Sequence, residues 1–380
     1  MMKDLQTKFL ALAVSLIVAA CGGGSTANIT PLTKITAVKV FGDSLADSGT
    51  FGFKFTVQAV DGQIYPERVA ATYGLSLCNF YVFTGTTFAA NPKAGCTNYA
   101  IGGAVINNSS PVNPLGIPIQ FANAVAAGNY AATDLALIDG GGNDAADLVG
   151  AYLKAPYDGG ASLAALLGTK LTPTQVGTAL GGGAAGIAAG GVTYMQALAD
   201  YFSNSIKSNV IGKGAMQVAI LNVPGITNTP RFQMVLDGIA AAYGGGTAGA
   251  AARAQSDALF KSWVVAFNTQ LSANFASESK VVIIDFYTAF NDQIAAPAQF
   301  SLSNVKTPAC PVVGLGSDGL PVYSFPTCTS ASLSAAITPG STDPNWWKSY
   351  GFADSFHPTP YGHQLVAQLI SKSLAIKGWL

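Results

Sequence analysis

Only two histidines occur in the 380 residues, so chemistry that needs a general base near neutral pH must use His357 or His363. His357 stands in the run Asp354-Ser355-Phe356-His357-Pro358-Thr359. An Asp three residues upstream can fold back in a turn and accept a hydrogen bond from the imidazole Nδ1–H. It would then fix the tautomer and stabilise the imidazolium formed when the ring takes a proton from a nucleophile. His363 follows Pro360 and Gly362 at the start of an amphipathic segment, where a capping or surface histidine is expected. His357, with Asp354 as its orienting carboxylate, is therefore the candidate base.

Such a base must be positioned by regular elements. Residues 35–41 are apolar and β-rich and stop at Gly42-Asp43-Ser44, which reads as a strand delivering a polar turn. Residues 135–138 repeat the pattern and break at Asp139-Gly140-Gly141-Gly142-Asn143-Asp144. Residues 218–223 break at Pro224-Gly225, and residues 281–284 break at Asp285. Helix-period segments lie between them: Leu259, Trp263, Val264, Phe267 and Leu271 share one face, as do Leu365, Val366, Leu369, Ile370 and Leu374 after Pro360. Strands alternating with amphipathic helices predict a parallel sheet covered on both faces, with the ligand at the carboxyl ends of the strands. No linker divides the pattern. Residues 149–191, 228–249 and 301–345 exceed what the alternation requires and are expected to be insertions near the site. Two G-x-G-x-x-G tracts, at 181–186 and 244–249, follow no strand and read as Gly/Ala linker rather than a dinucleotide site.

Charged residues make up 10% of the chain, and the 19 basic and 19 acidic side chains cancel. Nucleic acid is therefore not an expected partner. Hydrophobic residues reach 49%, but 43 Gly and 19 Pro interrupt the apolar runs. At the N-terminus, Lys3 and Lys8 precede an apolar stretch at residues 9–20. That stretch is shorter than the ~20 residues of a membrane-spanning helix and reads as a signal peptide, residues 1–20. The small residues before Cys21 resemble the lipobox of bacterial lipoproteins. The resemblance implies a lipidated Cys21 at the mature N-terminus, a flexible tether over residues 21–33, and stable membrane attachment through several acyl chains. Gly22 at the next position favours the outer membrane. A plain secretory cleavage near Ala20 is the alternative. Cys78, Cys96, Cys310 and Cys328 remain, an even number in an exported chain, and two disulfides are expected. Of three connectivities, Cys78 with Cys96 and Cys310 with Cys328 is favoured because each closes a short local loop. A zinc site is not expected, since no C-x-x-C occurs and neither histidine lies near a cysteine.

Four blocks in order resemble the GDSL, or SGNH, hydrolase family. They are Gly42-Asp43-Ser44-Leu45-Ala46-Asp47-Ser48-Gly49, Asn98-Tyr99-Ala100-Ile101-Gly102-Gly103-Ala104, Gly141-Gly142-Asn143-Asp144, and Asp354-x-x-His357-Pro358-Thr359. The resemblance spans residues 34–380 as one hydrolase domain. It implies a flavodoxin-like three-layer α/β/α sandwich with a mainly parallel sheet, and Ser44 as nucleophile at the end of the first strand. It further implies an oxyanion hole built from the Ser44 amide, a glycine amide and the Asn143 side chain. Gly102 and Gly103 are both open for the glycine, with spacing from Asn98 favouring Gly103. Asp43, Asp47 and Asp144 read as loop-fixing acceptors rather than triad members. Trp346, Trp347, Tyr350 and Phe356 suit an acyl pocket or ordinary core equally.

The implied activity is hydrolysis of carboxylic esters, of acyl lipids or simple acyl esters, without metal or organic cofactor. A lipid acyltransferase or phospholipase using the same site is the alternative, as is an inactive binding lipoprotein on the same fold. A monomer is expected. Some relatives carry a membrane barrel after the catalytic domain, and no alternating strands follow the last helix, so a fused barrel is not expected here.

Overall fold

A computed structural model describes residues 33–108, 110–337 and 342–380. The expected signal peptide, Cys21 and nearly all of the tether lie outside the described residues. In chain order the elements are β1 (Ala37–Phe41), α1 (Tyr65–Thr72), β2 (Tyr81–Phe83), β3 (Phe88–Ala90), α2 (Ile117–Ala126), β4 (Asp134–Ile138), α3 (Gly142–Asp158), α4 (Ala161–Leu167), α5 (Pro173–Gly181), α6 (Gly183–Asn209), β5 (Gln217–Leu221), α7 (Pro230–Ala242), α8 (Gly246–Phe275), β6 (Val281–Ile284), α9 (Phe286–Ala295), β7 (Val312–Leu315), β8 (Pro321–Tyr323), α10 (Ser330–Ala335) and α11 (Pro360–Ile376).

The four long apolar runs form one parallel sheet in the order β1-β4-β5-β6. Because successive side chains of a strand point to opposite faces, each strand feeds two cores. Ala136 and Ile138 of β4 pack with α2, α6 and α8 through Phe121, Phe202 and Phe267. Leu135 and Leu137 pack with α1, α9 and α11 through Val69, Phe290 and Ile370. The three-layer α/β/α architecture follows from a sheet buried on both sides.

The expected strands are present, the last with the expected ends and the others with an end shifted by at most two residues. Two elements were not expected, the antiparallel hairpins β2–β3 and β7–β8. Their three- and four-residue strands are too short to show a period. Each hairpin is bracketed by a disulfide, Cys78–Cys96 and Cys310–Cys328, in the favoured connectivity.

The glycine tracts are not linkers. Gly183 to Gly186 opens α6 and Gly246 to Gly249 opens α8, each directly after another helix. Ala- and Gly-rich turns suit close helix contacts: a Cβ on Gly190 of α6 would stand 2.5 Å from Ala179 of α5, and one on Gly249 of α8 2.4 Å from the Ala240 carbonyl of α7.

Candidate active site

β1 ends in a turn that has room for only one residue type. A Cβ on Gly42 would fall 1.4 Å from Oδ1 of Asp139, the residue that follows β4. Asp139 Oδ1 instead accepts from the Asp43 amide at 3.1 Å, and Gln120 of α2 clasps Gly42 by accepting from its amide and donating to its carbonyl, both at 2.9 Å. Asp43 Oδ1 accepts from the Leu45 amide at 3.0 Å. These bonds hold Ser44 at the carboxyl end of the sheet, 6% exposed.

The loop carrying His357 arrives from the other end of the chain. Thr359 caps α11 by accepting from the Gly362 amide, with Pro360 at the first helical position. The Thr56 hydroxyl donates to the Pro358 carbonyl at 2.8 Å, and the His357 carbonyl accepts from the Ala353 amide at 2.8 Å. Asp354 folds back as its spacing predicted, accepting from the Phe356 and His357 amides at 2.8 and 2.6 Å. Its carboxylate lies 2.9 and 3.0 Å from His357 Nδ1. Nε2 of the same ring is 2.7 Å from Ser44 Oγ. Burial alone would raise the Asp354 carboxyl pKa. The His357 charge, the ring hydrogen bond and the two amides outweigh it and hold the group below its ordinary range.

The glycine and asparagine blocks meet each other and are tied to the serine loop. Asn98 is fully buried, donates to the Ala46 carbonyl at 2.7 Å and accepts from the Ala100 amide at 3.0 Å, which ties the glycine loop to the serine loop. Gly102 donates its amide to Asp47 Oδ2 at 2.8 Å. Gly103 adopts φ +82° and is exposed, and its amide has no acceptor among the described residues. The alternatives left open by the sequence thus differ in geometry. The Asn143 side chain, in the first turn of α3, donates to the Ala104 carbonyl at 2.9 Å. That leaves its second N–H free of any acceptor among the described residues.

The loop-fixing carboxylates reach further than local turns. Asp47 also accepts from the Gly49 and Thr50 amides, and Asp144 accepts from Ile106 and Asn107 across the loop that follows Gly103. Burial pushes Asp144 up to about 6 despite those amides. Asp43 and Asp139 form a buried pair beneath Ser44. Burial raises both, and repulsion from Asp43 drives Asp139 higher still, with the Tyr65 hydroxyl donating to Asp139 Oδ2 at 2.8 Å as partial compensation. Asp139 entered the sequence pattern only as the end of a strand, and Gln120 and Tyr65 carry no motif. The available signal was a Gln on the apolar face of α2 and an Asp at the exit of a buried strand.

His363 is neither a cap nor a surface residue. It is fully buried in α11, its Nδ1 accepts from the Tyr65 amide at 3.4 Å, and Nε2 has no partner among the described residues. Its helix position faces the core between α1 and the His357 loop, which the Gly-His-Gln context does not reveal. Trp347 is 3% exposed and, with Trp346 and Tyr350, packs in the small core around Cys310–Cys328. Phe356 instead borders a narrow apolar cleft of about 40 Å³ lined also by Leu45, Leu221, Ile226, Phe286 and Phe290.

A serine hydroxyl, an imidazole nitrogen in reach of it and a carboxylate on the ring's far nitrogen are an arrangement capable of acyl transfer. Comparison with known proteins agrees with that chemistry. The family model described as GDSL-like Lipase/Acylhydrolase matches residues 38–370. The chain is also similar to Lipase 1 of Photorhabdus luminescens, 25% identical over 363 residues. That match takes in 87% of this chain and 48% of the relative, so the chain spans about half the length of the curated relative it matches.

Proposed function

The chain belongs to the GDSL-like lipase/acylhydrolase family, and on that premise we propose that it hydrolyses carboxylic esters, acyl lipids or simple acyl esters, through an acyl-enzyme on Ser44. The observation that carries this reading is the 2.7 Å separation of His357 Nε2 from Ser44 Oγ, with Asp354 on Nδ1.

His357 Nε2 takes the Ser44 proton as Oγ attacks the carbonyl carbon. The oxyanion lies among the amides of Ser44 and Gly103 and the free N–H of Asn143. Gly103 rather than Gly102 fills the second position because the Gly102 amide is bonded to Asp47. The intermediate collapses, His357 returns the proton to the leaving alkoxide, and the alcohol departs. Water, deprotonated by the same nitrogen, then attacks the acyl carbon, and the acid leaves with Ser44 regenerated. Asp354 keeps the Nδ1–H tautomer and stabilises the imidazolium in both halves.

Residues 34–380 form the catalytic domain in this reading. Two disulfides suit an oxidising compartment. With the apolar stretch before Cys21 they support export, and the proposed form is a monomeric outer-membrane lipoprotein.

The test is hydrolysis of p-nitrophenyl acetate and butyrate by the wild type and Ser44→Ala. Turnover in the wild type that vanishes in a folded Ser44→Ala is expected. Equal turnover in both removes Ser44 as nucleophile, and silence of both together with no fluorophosphonate labelling removes the hydrolase reading.

A further inference from the structure

Six phenylalanines form a continuous cluster beside the reacting groups. Phe51, Phe53 and Phe55 lie on one segment, with ring centroids 5.4 to 6.1 Å apart. Phe83 and Phe88, from facing positions of the β2–β3 hairpin, meet Phe51 at 5.2 and 5.9 Å. Phe325, just after β8, meets Phe53 and Phe55 at 6.1 and 5.4 Å.

The cluster touches the catalytic groups at two points. The Phe55 and Phe325 rings stand 5.3 and 5.5 Å from the His357 ring. A Cβ on Gly102 would lie 2.2 Å from Phe55 and 3.2 Å from Phe51, so the rings reach the backbone immediately before Gly103.

Ordinary core would hide such rings, but only Phe325 is buried. Phe51, Phe53, Phe55 and Phe88 are half-buried and Phe83 is 36% exposed. Phe51 and Phe88 pack against the main core and Phe53 and Phe55 against the core around Cys310–Cys328, yet each side chain stays partly exposed next to Phe83. Apolar area left in water is unfavourable by about 25 cal/mol per Å² and suits an apolar ligand. The cation on this segment does not spoil it, because Lys54 Nζ is paired with Glu67 at 2.7 Å. The two carrier loops are held by the two disulfides: Cys78–Cys96 brackets the hairpin with Phe83 and Phe88, and Cys310–Cys328 brackets the segment that ends at Phe325.

We infer that Phe51, Phe53, Phe55, Phe83 and Phe88 form the subsite for an extended apolar chain of the ester, which places long-chain esters above acetates as the substrate class. The inference rests on the proposed ester hydrolysis and deepens it. The chain can belong to the acid or to the alcohol, and the experiment separates the two.

The full-length protein is compared with Phe83→Ala and Phe88→Ala on two series, p-nitrophenyl acetate to decanoate and ethyl to decyl acetate, with thermal unfolding followed in parallel. The long-to-short ratio of kcat/KM is expected to fall at least tenfold, through KM, with acetate turnover within twofold of wild type and unfolding unchanged. A fall in the first series puts the acyl chain on the wall, and a fall in the second puts the alkyl chain there. An unchanged ratio in both series, in whichever variant keeps its unfolding transition, overturns the subsite. Failure of the hydrolase reading is distinct, because wild-type acetate turnover would then be absent or would survive Ser44→Ala.

Discussion

The amide of Gly102 donates to Asp47 Oδ2, a carboxylate three residues beyond Ser44, at 2.8 Å. One carboxylate therefore ties the glycine loop to the serine loop, since it also accepts from the Gly49 and Thr50 amides. Asp47 touches no reacting atom, and its effect must pass through the position of Gly103. Asp47→Ala is expected to lower kcat by about 10², the cost of a misplacement near 1 Å, with a smaller change in KM. Asp47→Asn, which keeps an acceptor, should recover part of the loss. Equal kcat in Asp47→Ala and wild type would release the glycine loop from this control.

The Asn143 amide is held by one N–H to the Ala104 carbonyl, which directs the other without consuming it. Removing one oxyanion donor typically costs ~10²–10³ in rate. Asn143→Ala is expected to lose that much kcat while far-UV circular dichroism and the unfolding midpoint stay near wild type. A rate within twofold of wild type would take Asn143 out of the proposed oxyanion hole.

What the sequence revealed depended on how local each signal was. Asp354 and His357 are three residues apart, so their pairing is a short-turn property and was readable. So were the four buried strands, whose apolar runs end at polar turns. Gln120 on Gly42 and Asp139 on Asp43 are contacts between residues 78 and 96 apart, set by the docking of α2 and by the pairing of β1 with β4, which no local pattern encodes. His363 was misread for the same reason, because the face of α11 that it occupies becomes interior only once α1 packs there. The aromatic wall was invisible because its members come from three segments brought together by two short hairpins.

Cys21 lies outside the described residues, and the proposal that it is lipidated is tested directly. Cys21→Ser, expressed with residues 1–20 in place, is expected to move the protein from the membrane fraction to the soluble exported fraction. Labelling with a clickable palmitate should be lost with it. Membrane retention of the variant would point to attachment by some other part of the chain.

Each disulfide closes a loop with a sequence separation of 18, which in the chain-entropy account is worth about 3 kcal/mol apiece. Reduction is expected to lower the midpoint of thermal unfolding, and thiol titration of the unfolded, unreduced protein should find none of these four cysteines free. Four titratable thiols and an unchanged midpoint would contradict both bridges.

His363 should make folding sensitive to acid in a defined window. Burial opposes charging of its ring, and the positive charges of His357, Arg68 and Lys54 add to that, so the folded pKa is pushed from 6.5 down to about 3. Between those values the unfolded chain binds a proton that the folded chain does not. Stability from this group is therefore complete above about pH 6.5 and is lost as pH falls toward 3. At pH 4.5 the loss amounts to about 3 kcal/mol. Asp43, Asp139 and Asp144 act in the opposite sense. Their folded pKa values lie above the ordinary 3.8, so their contribution is greatest at low pH and declines as pH rises, for Asp144 up to about 6. A wild-type profile alone mixes the two trends, whereas the difference between wild type and His363→Gln isolates the histidine, with Gln retaining an acceptor for the Tyr65 amide. Urea unfolding at pH 7 and pH 4.5 should show the wild type losing about 3 kcal/mol more than the variant on acidification. Parallel losses would mean that His363 is already charged in the folded protein.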